Sequence, residues 1–199
     1  MIRDDLENEI MFPTNQLKGQ MEFSMAVNQR KIFLNEDVTE DSIFKCMYYL
    51  NKLIALDKIT DTKPAIEICV NTNGGLVHDC FTLISYIEHL KDIGYEIITT
   101  NIGRAFSAGF LISICGSKRQ AYRYARYMYH DISGGMFGKQ QSMKEYLEET
   151  EKIDNMAIDL VTKYTNITKE ELEELNQRKI DKFYSAQELK ELNGVDIII

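Results

Sequence analysis

The chain is poor in residues that interrupt or cross-link a fold. Its 199 residues include only 2 prolines and no tryptophan. Pro13 and Pro64 stand alone, no Ser/Gly-rich run separates the apolar segments, and the length is that of one domain. Cysteine is sparse as well. Cys46, Cys69, Cys80 and Cys115 form no C-x-x-C pair, and each lies in an apolar segment where a free thiol behaves as a small hydrophobe. That argues against structural zinc and against a disulfide framework, and it fits a reducing compartment. Positive charge is in deficit, 23 Lys+Arg against 31 Asp+Glu, and the net −8 argues against a nucleic-acid-binding face. Long hydrophobic runs are missing. The most apolar stretch, 103–115, is too short and too closely flanked by charge to span a bilayer, and MIRDDLENEIM at the start has no apolar core of the secretory type. The expectation is a soluble, cytoplasmic protein.

What the chain does have is alternation. Residues 1–29 are polar and weakly periodic, and read as an N-terminal arm or an added element. From residue 30 the pattern becomes regular. Strands are predicted over 30–34, 65–70, 95–100 and 122–130; helices over 41–56 and 76–91, with a further helix opened by Ser107. This succession predicts an α/β fold with right-handed crossovers on a mostly parallel sheet. A helix predicted over 141–164 carries Met143, Tyr146, Leu147, Ile153, Ala157, Leu160 and Val161 at spacings of three and four. Following a Gly-rich extended piece, it is too long to bury all of that stripe on its own core, and reads as a flange for another subunit.

In a parallel sheet, reactive groups collect at the carboxyl ends of the strands. Two loops qualify: NTNGG, residues 71–75, and GRAFSAG, residues 103–109. Gly74 and Gly75 let the backbone approach a ligand and turn amides into a cleft. Ser107 before a helix is either an N-cap or a nucleophile beside unpaired amides. The GxSxG elbow is absent, because Ala105 occupies the first glycine position. Among three histidines, His89 lies mid-helix and His78 at a helix start, whereas His130 ends an aromatic strand and can face the same cleft. For the carboxylate that would orient an imidazole, Asp131, Asp154, Asp159 and Asp181 remain open.

Taken together, five stretches resemble the proteolytic subunit of the Clp protease, a family of self-compartmentalising serine peptidases. They are IFLNEDVTED (32–41), AIEICVNTNGG (65–75), IGRAFSAGFLI (102–112), MYHDISGGMFG (128–138) and DKFYSAQELKELNGVDII (181–198), in the family's order. The resemblance implies Ser107 as nucleophile, His130 as general base and Asp181 as orienting carboxylate, with the amides of Gly75 and Ala108 as oxyanion hole. It implies a fold of repeated ββα units, shared with crotonases, over residues 30–199, with a protruding handle of strand plus long helix at about 132–164. It further implies stacked heptameric rings of identical subunits around a chamber, unfolded polypeptides as substrate, and a AAA+ unfoldase partner. No cofactor or metal is expected, ATP entering only through that partner. Four departures bear on function. Thr72-Asn73 stand where the family has Ser-Pro before the glycines, although Asn tolerates the unusual backbone angles of such a turn. Phe106 and Ala108 flank the serine where the family has a small residue and Met, and are expected to reshape the substrate pocket. Asp131-Ile132 stand where the family has Gln-Pro. Residues 1–29 do not resemble the family's axial loop. Two other readings are a ring subunit with a misaligned triad and a crotonase-type acyl-CoA enzyme.

Overall fold

The computed structural model describes residues 15–135 and 137–199. The elements run α1 (Asn15–Gln29), β1 (Lys31–Leu34), α2 (Glu40–Thr60), β2 (Ile66–Thr72), α3 (Val77–Asp92), β3 (Ile97–Phe106) and α4 (Ala108–Ile114). They continue with β4 (Lys118–Ala121), β5 (Arg126–Tyr129), α5 (Gln140–Tyr164), α6 (Lys169–Arg178), β6 (Lys182–Ser185), α7 (Ala186–Glu191) and β7 (Ile197–Ile198).

The sheet order is β1-β2-β3-β4-β7, with all neighbours parallel. β2 and the first half of β3 are buried almost throughout, polar Thr72, Thr99, Thr100 and Asn101 included, because helices cover the sheet, as a parallel sheet requires. β3 is the pivot. Its first half, Ile98 to Asn101, pairs with β4, and its second half, Arg104 to Phe106, pairs in parallel with β5. Asn101, fully buried, stands at this fork: its Nδ2 donates to the Arg126 carbonyl (3.0 Å) and its Oδ1 accepts from Gly103 N (3.0 Å). β6 then pairs antiparallel with β5, so β5 and β6 form a small wing beside the main sheet. Beneath the fork, the ring of Phe110 packs 6.1–6.3 Å from those of Tyr127, Tyr129 and Tyr184.

Local signals set the helix ends. α2 starts in a capping box, Ser42 N donating to Thr39 Oγ1 and Thr39 N to Ser42 Oγ. Where α2 ends, the Arg30 guanidinium grips Asp57 with two bonds (2.9 and 2.7 Å) and also donates to the carbonyls of Pro64 and Ala65. At the far side Glu88 of α3 accepts from Lys91, Lys163 and Tyr164, which moors the end of α5. Burial opposes ionisation of Glu88, but these three donors outweigh it and hold its carboxyl at about 2. Arg119 pairs with Asp196 and fixes β7 on the edge of β4.

Five segments differ from the sequence expectation. β3 runs on past Thr100 to Phe106, and the aromatic strand expected over 122–130 forms only as β5, its first residues making a turn. Residues 15–29 form a helix seated on the core through Ala26, while residues 1–14 of the expected arm lie outside the described residues. The charged KRQA is strand β4, because it is enclosed between β3 and β7. The expected Gly-rich strand of the handle is not formed among the described residues of 131–139, since no neighbouring backbone among the described residues offers a ladder. The long helix behaves as its stripe suggests. Ile153, Ala157, Ile158 and Val161 are buried, whereas Met143 and Leu147 in the first half stay exposed.

Candidate active site

β3 delivers the chain to Ser107, whose backbone adopts φ 53°, ψ −121°, a conformation that L-residues rarely occupy. The surroundings enforce it. Ser107 N donates to the Met128 carbonyl of β5 (2.8 Å), and its own carbonyl accepts from Phe110 N (2.9 Å) to start α4. The side chain makes no capping bond. It turns instead to His130, with Oγ 2.7 Å from Nε2. The N-cap alternative is thereby corrected: φ above zero points the hydroxyl away from the helix amides.

His130 directly follows β5, and Asp181 directly precedes β6, so the antiparallel wing brings them together. His130 Nδ1 lies 3.8 Å from Asp181 Oδ1, an ion-pair distance longer than a hydrogen bond. The other carboxylates are engaged elsewhere. Asp131 forms an ion pair with Lys179. Asp154 Oδ1 accepts from Ile132 N (2.9 Å), and burial pushes its carboxyl above the ordinary range against that bond. Asp159 is exposed on α5. His78 is exposed at the rim of the site, and His89 stacks on Tyr86 on the outer face of α3.

The Gly-Gly turn lies against the serine. Gly74 has φ 102°, and a Cβ on it would fall 2.7 Å from Ser107 Cβ and 3.2 Å from Ala108 N. Gly75 has φ 148° and passes so close to Val38 that a Cβ would fall 2.2 Å from the Val38 carbonyl oxygen. The strap at Val38 bonds to the Gly74 carbonyl and to Leu76 N, both 2.8 Å, leaving the Gly75 amide facing the other way. Among the described residues neither Gly75 N–H nor Ala108 N–H finds an acceptor. Two pre-oriented donors flanking a hydroxyl can receive charge that develops on a carbonyl oxygen. The turn itself is closed by Thr72 Oγ1, which accepts from Gly74 N (3.0 Å). Val38 did not stand out in the sequence, and Thr72 did so only as a departure from the family's Ser-Pro. A Thr two residues before a Gly-Gly pair was the available signal.

Ser107 and His130 open onto a cleft of about 720 Å³. Leu76, Leu111, Met128, Ile132, Ile153 and Ala157 give it an apolar wall. Ala108 lines this cleft, but Phe106 does not. The Phe106 ring stacks edge-on to Phe183 of β6 at 5.7 Å, because successive residues of an extended segment face opposite sides. The expectation that Phe106 reshapes the pocket is corrected on this point.

The family model described as Clp protease matches residues 15–199. A relative from Prochlorococcus marinus subsp. pastoris, the ATP-dependent Clp protease proteolytic subunit 1, is 29% identical over 180 residues, covering 89% of this chain and 87% of its own. The matched span begins where α1 begins. No helix among the described residues is long and apolar enough to cross a membrane.

Proposed function

Because the chain belongs to the Clp protease family, we propose that it is a serine endopeptidase with Ser107 as nucleophile, His130 as general base and Asp181 as orienting carboxylate. The observation that carries this reading is the 2.7 Å contact between Ser107 Oγ and His130 Nε2, made by a serine whose backbone withholds it from capping. Ser107 Oγ attacks the scissile carbonyl while His130 Nε2 takes its proton. The oxyanion lodges on the amides of Gly75 and Ala108. As the C–N bond breaks, His130 returns the proton to the leaving amine, and water then frees the acyl group by the same route. The apolar cleft accepts an extended, unfolded segment by its side chains. On the family resemblance, the subunit works in the cytoplasm, in stacked heptameric rings fed by a AAA+ unfoldase, with the exposed half of α5 as the ring-to-ring handle.

The 3.8 Å gap between His130 and Asp181 favours a second reading, a ring subunit without turnover. Intact mass after fluorophosphonate treatment separates the two. One adduct on the native chain, absent from Ser107→Ala, supports the peptidase. No adduct on assembled rings establishes the second reading, and an adduct that survives the substitution means another serine reacts.

A further inference from the structure

Among the described residues, the Asp181 carboxylate makes no hydrogen bond, and its side chain is 58% exposed. Its own contacts therefore do not set its distance from His130. What does is visible in the backbone. His130 is the middle residue of 129–131, and Asp181 lies within 179–182. At one end of these segments Tyr129 pairs in register with Lys182. At the other end Asp131 pairs with Lys179. The two segments are thus tied on both sides of the imidazole–carboxylate contact.

The second tie is well supported from behind. Lys179 ends α6 in the left-handed region, φ 54°, with Lys179 N bonded to the Asn176 carbonyl (3.3 Å) and Ile180 N to that of Leu175 (3.1 Å). Asp131 is followed by Ile132, whose amide is anchored to Asp154 of α5. Lys179 therefore caps one helix, and Asp131 is tied through its neighbour to another. Asp131 is 15% exposed, while Lys179 is 72% exposed and reaches in to meet it.

We propose that Asp131 and Lys179 are positioning residues, their ion pair closing the second side of a frame that sets the spacing between His130 and Asp181. The pair also binds the Asp131 carboxylate, which adjoins the base in sequence, so that it does not compete with Asp181 for the imidazolium. This rests on the triad reading above.

The test uses the assembled full chain, a short fluorogenic peptide with an apolar residue, and fluorophosphonate labelling. Lys179→Ala and Asp131→Asn should each lower kcat about two- to fivefold with KM unchanged, the range an exposed ion pair supports. The double variant should be no slower than either single one, and Lys179→Arg should keep the native kcat. Salt near 1 M should shrink the native advantage, since it screens an exposed pair. Lys179 is on the surface, so its variants fold, and an unchanged melting temperature beside a lower kcat separates positioning from mere stability. Native kcat in Lys179→Ala, or multiplying losses in the double variant, overturns the proposal. If the native chain takes no adduct at all, the triad reading fails and the frame falls with it; if it labels and Lys179→Ala labels equally fast, only the frame fails.

Discussion

Gly74→Ala is the sharpest probe of how the serine is held. The added Cβ would lie 2.7 Å from the Phe106 carbonyl oxygen, 2.7 Å from Ser107 Cβ and 3.2 Å from Ala108 N. Ordinary carbon–carbon contact needs roughly 3.5–4.0 Å, so the methyl demands a shift of about 1 Å. None of these neighbours is the free end of a flexible chain. All belong to Ser107 or its flanking peptides, so either Ser107 or the turn must move. A displacement of about 1 Å at reacting atoms costs on the order of 10²-fold in rate. The same substitution places a Cβ at φ 102°, which costs roughly 1–3 kcal/mol of stability. Expected, then, is a folded protein melting several degrees lower, with Ser107 labelled about 100-fold more slowly by a fluorophosphonate. Gly19→Ala is the control, because nothing lies within 4 Å of that Cβ. Native-like labelling in Gly74→Ala, within about threefold, would refute the packing account of the site.

Two further outcomes concern stability. Asp57 is 4% exposed and doubly bonded to Arg30, so Asp57→Asn leaves a guanidinium without its countercharge; a loss of roughly 3 kcal/mol is expected in urea unfolding. A loss below about 1 kcal/mol would show that water reaches Arg30. Glu88, held at about 2 against an ordinary 4.5, stabilises the fold fully above pH 4.5 and loses that contribution as the pH falls toward 2. Partial exposure screens it, leaving about 1–2 kcal/mol at neutral pH. Glu88→Gln should lower stability at pH 7 by this amount and flatten the decline between pH 5 and 2, measured by calorimetry across that range. An unchanged acid limb would place the acid sensitivity elsewhere.

The parts of the fold that were legible in the sequence are those whose burial is periodic. The stripe Ile43, Leu50, Leu53, Ile54 of α2 and the apolar run of β2 could face only a core, and both formed within a few residues of the expected bounds. β4 was not legible, since KRQA owes its strand to the neighbours that enclose it and not to its own side chains. Nor was the full length of β3. The sequence reading ended it near Thr100, but the Asn101 side chain carries pairing from β4 across to β5, and the strand runs on to the residue before Ser107. At the site, composition could narrow the serine and the histidine but not the carboxylate. Asp131, Asp154 and Asp181 differ in what they face across the wing, and that is a property of β5–β6 pairing between residues far apart in sequence.

The wing also imposes an order in time. β1 to β5 can close on one another while the ribosome is still adding later residues, and by then Ser107 and His130 are both in place. Asp181 is not. It reaches His130 only once β6 has been made and zipped onto β5, and β7 then pairs along β4. A chain halted before Lys182 thus holds a serine and an imidazole without Asp181 fixed beside them. On the proposed chemistry, a half-made subunit is a poor hydrolase among other unfolded nascent chains, and full reactivity arrives with β6.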